Sequence, residues 1–306
     1  MNRREFLKKS GLALVGGGAV ASVPEIAEAS GHAKQASPEA LGVLVDTTLC
    51  IGCRECERAC ERTNHVADTP LTDEYFDDKS VFDSERALSV NQYTVVNKYP
   101  NPVEIGDDGA VYVKKQCMHC VHAPCVSACI VGAFKKDEKT GAVTYNAWEC
   151  IGCRYCMMAC PFQVPTNEFG KAIEPRIKKC TFCFDRISKY NGTPACADAC
   201  PMGAMTFGKR SELIEVARER IKLNPDKYLN HIYGEHEAGG TSWMYLAGMP
   251  FDKIGFPKLA DTSPAMTSET LMHSAFKHWI PPFSIYAAIG ATMWIYTRKK
   301  QSDEDE

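Results

Sequence analysis

The chain has 306 residues and a formal net charge of −3, with 45% hydrophobic and 24% charged residues. That is ordinary globular composition, enough for one or two domains, and the absence of a basic excess excludes nucleic acid as an expected partner. Sixteen cysteines is a high count for this length, and their spacing has to decide between metal and disulfides.

The N-terminus, MNRREFLKKSGLALVGGGAVASVPEIAEAS, reads as a twin-arginine signal peptide over 1–29. Arg3-Arg4 is followed by Phe6-Leu7-Lys8, a glycine-rich weakly apolar run from Leu12 to Val23, and the cleavage pattern Ala27-Glu28-Ala29. Residues 30–40 read as a linker. The first cysteine group follows, Cys50, Cys53, Cys56 and Cys60. Residues 61–109 form an acidic, loop-rich insert whose charge reads as a solvated face. Val111-Tyr112-Val113 alternates as a strand before the second group, Cys117, Cys120, Cys125 and Cys129. A hairpin is expected from Ala133 to Tyr145, turning at Asp137 to Gly141. The third group is Cys150, Cys153, Cys156 and Cys160, followed by Pro161. The fourth is Cys180, Cys183, Cys196 and Cys200, with a strand expected over Ala204 to Phe207. Ser211 to Leu223 carries Leu213, Ile214, Val216, Ala217 and Ile221 on one face, so it reads as an amphipathic helix capped by Ser211, with Glu212 and Glu215 in its first turns. Residues 231–278 show little periodicity and read as an extension contacting partners. Trp279 to Tyr296 carries no charge and is flanked by aromatic residues and Arg298-Lys299-Lys300. A transmembrane helix is therefore expected over 279–297, with a cytoplasmic tail at 298–306.

The spacing C-x2-C-x2-C-x3-C-P of the third group is the bacterial ferredoxin pattern for a [4Fe–4S] cluster. The first group repeats it one hundred residues earlier. Three cysteines in a tight loop turn their sulfurs toward one cube, while the fourth, further on, serves a second cube. Four groups of four use every cysteine, leaving none for a catalytic thiol. Zinc needs only two pairs per ion and leaves the third and fourth members unexplained. Disulfides between tightly looped cysteines would be strained. Lys114, Lys115, Lys178 and Lys179 precede cysteine groups, and Arg54 and Arg154 lie inside two of them. Cations there would raise a cluster's reduction potential. His119 and His122 are candidates for roles around the cysteines rather than as ligands.

The chain resembles the four-cluster ferredoxin subunits of membrane-bound respiratory oxidoreductases, over nearly its whole length. It is most similar to the electron-transfer subunit of hydrogenase-2 type nickel–iron hydrogenases, through MNRREF, TLCIGCRECERAC, VKKQCMHCVHAPCVSAC, CIGCRYCMMACPFQVP and YGEHEAGGT. The beta subunit of formate dehydrogenase, which shares the cluster motifs, is the alternative. A structural zinc protein is the rival class. The resemblance implies an α+β fold of two nested bacterial-ferredoxin-like modules with insertions over 41–230. It implies four [4Fe–4S] clusters. Cys50, Cys53, Cys56 and Cys200 would hold the first, and Cys60, Cys180, Cys183 and Cys196 the second. Cys117, Cys120, Cys125 and Cys160 would hold the third, and Cys129, Cys150, Cys153 and Cys156 the fourth. Glu61 and Ile130 stand where a proline often follows the last cysteine, which bears on the local turn and not on the ligands. The implied role is electron transfer, without catalysis by this chain. The implied partners are a nickel–iron large subunit, a small iron–sulfur subunit and an integral membrane quinone-reactive subunit. The implied place is the periplasmic side of the cytoplasmic membrane, anchored by the C-terminal helix.

Overall fold

The computed structural model describes residues 35–101, 109–171, 176–267, 269 and 288–296. The chain divides into two units, one of residues 33–269 and one of 1–32 with 270–306.

In the larger unit a three-stranded sheet forms the base. β1 (Leu41–Asp46) lies at its centre. It pairs antiparallel with β8 (Met205–Lys209), Val43 facing Phe207. On its other side it pairs parallel with β9 (Trp243–Leu246), Val43 facing Trp243 and Val45 facing Tyr245. Strand periodicity of two sorts these residues onto two faces. Val43, Val45, Trp243 and Tyr245 join the main apolar core, which also contains Cys56, Cys120, Cys125, Cys156 and Cys196. Leu44, Met244 and Leu246 join a second core against Leu213, Ile214, Ala217 and Ile221. Those four lie on one face of α7 (Arg210–Leu223). The helix therefore covers one side of the sheet and the cysteine loops the other.

The remaining strands are hairpins around the cysteine groups. β2 (Thr94–Pro100) pairs with β3 (Ala110–Gln116), and β4 (Phe134–Lys136) with β5 (Val143–Tyr145). Short β6 (Thr166–Asn167) and β7 (Ile177–Lys178) also pair. Each cysteine group ends in a short helix: α1 (Glu55–Asn64), α3 (Pro124–Ser127), α4 (Tyr155–Ala159) and α6 (Ala195–Asp198). α2 (Asp73–Asp77) lies in the insert, and α5 (Phe184–Tyr190) follows Cys183. The α1 helix runs on through Glu61, whereas α4 stops short of Pro161, which cannot continue a helix. The missing proline at Glu61 thus lengthens the helix.

The α+β character with small sheets agrees with expectation; the transmembrane helix does not. Among the described residues, no helix is long and apolar enough to cross a membrane. The helical run at 288–296 rises about 14 Å at 1.5 Å per residue, about half the ~30 Å hydrocarbon thickness. Residues 279–287 and 297–306 lie outside the described residues, as does the twin-arginine leader at 1–29. The expected anchoring at the membrane, and the location drawn from it, are corrected with the helix on which they rested. Residues 243–246, within the expected extension, are a sheet strand.

Candidate metal centre

The four cysteine loops share one backbone device. The residue before each second cysteine has a positive φ: Gly52 (67°), His119 (47°), Gly152 (72°) and Phe182 (60°). A left-handed residue there turns the chain sharply, so that two sulfurs two residues apart face the same side. Glycine does this without a Cβ penalty, while His119 and Phe182 each cost about 1–2 kcal/mol. Both are held by their surroundings. His119 Nδ1 accepts the Val143 N–H at 2.8 Å, and its ring lies 5.0 Å from Phe182, which also meets Trp243 at 5.9 Å and Phe207 at 6.4 Å. The accepted bond places the His119 proton on Nε2, and burial holds its pKa well below the ordinary imidazole value. His122 Nε2 meets Glu269 at 2.9 Å. The same turn also aims a backbone N–H at sulfur: Gly152 N donates to Cys150 Sγ at 3.4 Å and Phe182 N to Cys180 Sγ at 3.4 Å.

The loops converge in pairs. One cavity is lined by Cys50, Cys53, Cys56 and Cys200, from the first and last groups. A second is lined by Cys60, Cys180, Cys183 and Cys196. The thiol of Cys120 interacts electrostatically with Cys160, Cys117 and Cys125, and that of Cys156 with Cys150, Cys129 and Cys153. Among the described residues, no three His, Cys, Asp or Glu side chains close round a point as a single ion requires.

Burial first, and then neighbouring thiolates, push the thiols upward. Cys50 rises to about 11, and Cys125, Cys156 and Cys180 to about 12. Cys56, Cys60 and Cys120 rise well above the ordinary value for the same reasons. Four thiolates in one buried space repel each other unless something cationic and thiophilic joins them, which is what the irons of a cluster provide. The buried indole N–H of Trp243 has no acceptor among the described residues, and Trp243 lines the second cavity. Soft donors in sets of four, and an unused N–H beside one set, fit a [4Fe–4S] group.

The cations named from sequence differ in fate. Arg54 is fully buried and binds Glu57 at 3.0 Å, with further bonds to the carbonyls of Tyr75, Phe76 and Asp78. Arg154 has the same left-handed backbone, φ 65° against 67°, but is exposed and stacks on Phe169 at 4.6 Å. Lys115 pairs with Glu85 at 2.5 Å and Lys178 approaches Glu168 at 3.6 Å. Lys179 donates to the carbonyls of Val143 and Cys180. Lys114 is 2% exposed, and its Nζ lies 4.3 Å from the Trp243 ring centroid. Lys136 was not singled out by the sequence, since it lies in the hairpin. It is half-buried within electrostatic reach of Cys120 and Cys117, and desolvation lowers its pKa to about 8. Trp243 was missed as well, because no cysteine motif lies near it.

These features define a ferredoxin-type iron–sulfur protein, and residues 109–210 match the family model described as a 4Fe-4S dicluster domain. Over 100% of this chain and 98% of the other, it is 34% identical to the hydrogenase-2 operon protein HybA of Escherichia coli O157:H7. A protein of Nitratidesulfovibrio vulgaris is 42% identical over 87% of this chain and 69% of its own. The iron-sulfur subunit of the nitrate-inducible formate dehydrogenase of Escherichia coli K12 is 32% identical over 86% and 88%. The chain belongs to this family of iron–sulfur electron-transfer subunits, which act as non-catalytic members of oxidoreductase complexes.

Proposed function

We propose that this chain carries electrons from a nickel–iron hydrogenase to a quinone-reactive membrane subunit through four [4Fe–4S] clusters. The observation that carries the reading is that the sixteen cysteines sort into four sets of four, with none left over. The full-length similarity to a hydrogenase-2 operon protein favours hydrogen over formate as the source of electrons. When bound, the clusters supply one-electron transfer at the potentials their surroundings set.

The chain's own residues hold and insulate them. Cys50, Cys53, Cys56 and Cys200 hold the first, Cys60, Cys180, Cys183 and Cys196 the second. Cys117, Cys120, Cys125 and Cys160 hold the third, Cys129, Cys150, Cys153 and Cys156 the fourth. Buried Val45 and Val96 line the first site, and Trp243 and Phe182 the second, keeping water from the sulfurs. The fourth set is the exposed end. Cys153 is exposed, and Trp148 (88% exposed), Ile151, Tyr155 and Met158 flank it in sequence. Exposed apolar side chains beside this set suit a surface covered by another subunit, and the membrane subunit is its proposed occupant. The hydrogenase is then placed at the Cys50 end.

Anaerobic isolation of the native complex, with iron and sulfide analysis and mass spectrometry of its subunits, tests this. About sixteen irons per chain and a nickel–iron pair are expected. About eight irons, or zinc, would overturn the four-cluster reading, and a molybdopterin subunit would overturn the hydrogenase assignment.

A further inference from the structure

Lys114 is a buried cation without a carboxylate. Its side chain is the charged end of β3, 2% exposed, and its Nζ donates to Gln116 Oε1 at 2.7 Å. Gln116 Nε2 donates to the Tyr245 hydroxyl at 2.6 Å, which in turn donates to the Lys114 carbonyl at 2.9 Å. This closed ring fixes the stem, while the face of Trp243 at 4.3 Å limits the ammonium on one side. An ammonium has three N–H donors. Among the described residues the Gln116 bond is its only side-chain hydrogen bond, and no Asp or Glu forms an ion pair with it. Of the two acids that flank Cys56, Glu57 is taken by Arg54, Arg86 and the Val96 N–H, and Glu55 by Arg58.

A bare buried ammonium is costly, and in most proteins such a group is paired or loses its proton. Here the sulfurs of Cys196, Cys56 and Cys180 are the groups that act electrostatically on the ammonium, with the Tyr245 hydroxyl. Cys56 belongs to the first set, Cys180 and Cys196 to the second. Lys114 also lines both cavities, the one with Cys50, Cys53, Cys56 and Cys200 and the one with Cys60, Cys180, Cys183 and Cys196. Lys136, by contrast, binds three protein oxygens, of His119, Gly141 and Ser242, and so has its partners within the protein.

We infer that Lys114 is a positioning residue shared by the first two cysteine sets, a single fixed positive charge that holds up the reduction potentials of both groups bound there. This rests on the four-cluster reading above. Reduction adds a negative charge to either group, and one ammonium beside both favours that charge at each. The two potentials are thereby tied to one side chain, and Trp243 keeps water from screening it.

The test is an anaerobic redox titration of the purified complex, followed by electron paramagnetic resonance, with Lys114→Met and Lys114→Arg. In Lys114→Met, two of four signals shift negative together. At the wild-type midpoint their reduced-to-oxidised ratio falls at least about tenfold, which is about 59 mV for a one-electron couple. The other two signals stay in place, and Lys114→Arg, which keeps the charge, leaves all four close to wild type. A shift at one signal only, at none, or equally in both variants overturns the inference. If Lys114→Met fails to load two clusters, full iron in Lys114→Arg supports the charge as the cause. Equal iron loss in both variants shows packing to be the cause and rejects it. A wild-type complex with fewer than four signals would instead sink the four-cluster reading, and the inference with it.

Discussion

At the scale of single residues, the four loops use one turn with two kinds of tenant. Gly52 is the sharpest case. Its φ is 67°, and a Cβ there would stand 2.4 Å from the Tyr112 ring. Gly52→Ala therefore meets both backbone strain and a clash, together about 2–4 kcal/mol. The expected outcome is a protein that loads fewer irons, with losses confined to the first site; full iron and unchanged melting would refute it. The two arginines after the second cysteines make a matched pair. Arg54→Leu leaves three carbonyls without their donor and Glu57 with Arg86 and the Val96 N–H only, about 3–5 kcal/mol. That corresponds to a melting temperature lower by about 6–20 °C. Arg154→Leu, on the exposed copy of the same turn, costs no more than about 1 kcal/mol. Equal effects of the two, measured by thermal unfolding under anaerobic conditions, would contradict this account. The repeat was legible in the cysteines. The burial of one arginine and exposure of the other was not, because it is decided by Tyr75, Phe76 and Asp78 in the insert, which share no motif with the loops.

At the scale of elements, local patterns served well wherever a strand or helix had its own periodicity. Val111 to Val113 lies in β3, Ala204 to Phe207 overlaps β8, and the expected hairpin holds β4 and β5. The amphipathic helix is present, but it begins at Arg210 and its N-cap is Lys209, without a side-chain bond, in place of the expected Ser211. The insert was harder. Its acids are partly spent on nearby arginines, Asp73 and Asp77 against Arg58 and Arg62, and β2 within it was not read because its partner begins ten residues further along the chain. β9 gave least warning. Four consecutive residues, Trp243 to Leu246, are fully buried on both faces, so alternation is absent and a run this short has no distinctive signature. The four side chains bury roughly 6–12 kcal/mol of hydrophobic stabilisation, as much as a whole domain's net stability. A chain ending at residue 230 should therefore be insoluble or free of iron, whereas one ending at 269 should load it. Comparable iron in both would show that β9 is dispensable.

At the scale of the molecule, the cysteine sites are the core rather than an attachment to it. Five cysteines are members of the main apolar core, and Cys50, Cys129, Cys150 and Cys200 pack against it. Removing the irons leaves buried thiols with no partner in the middle of the fold. Extraction with an iron chelator under anaerobic conditions should abolish the near-ultraviolet circular dichroism and the cooperative melt together. An apoprotein that still melts cooperatively at its original temperature would show that packing alone suffices.

The sheet that joins the chain's beginning to its end also sets a clock. β1 pairs with β8 and β9, so Val43 waits for Phe207 and Trp243 to be synthesised. At 5–20 residues per second, β1 stays without its parallel neighbour for on the order of 10–40 seconds after leaving the ribosome. Throughout that interval an apolar strand and most of the thiols are open to wrong pairing and to oxidants. The cavity lined by Cys50, Cys53 and Cys56 also needs Cys200, so its thiols cannot be gathered until that late cysteine has been made.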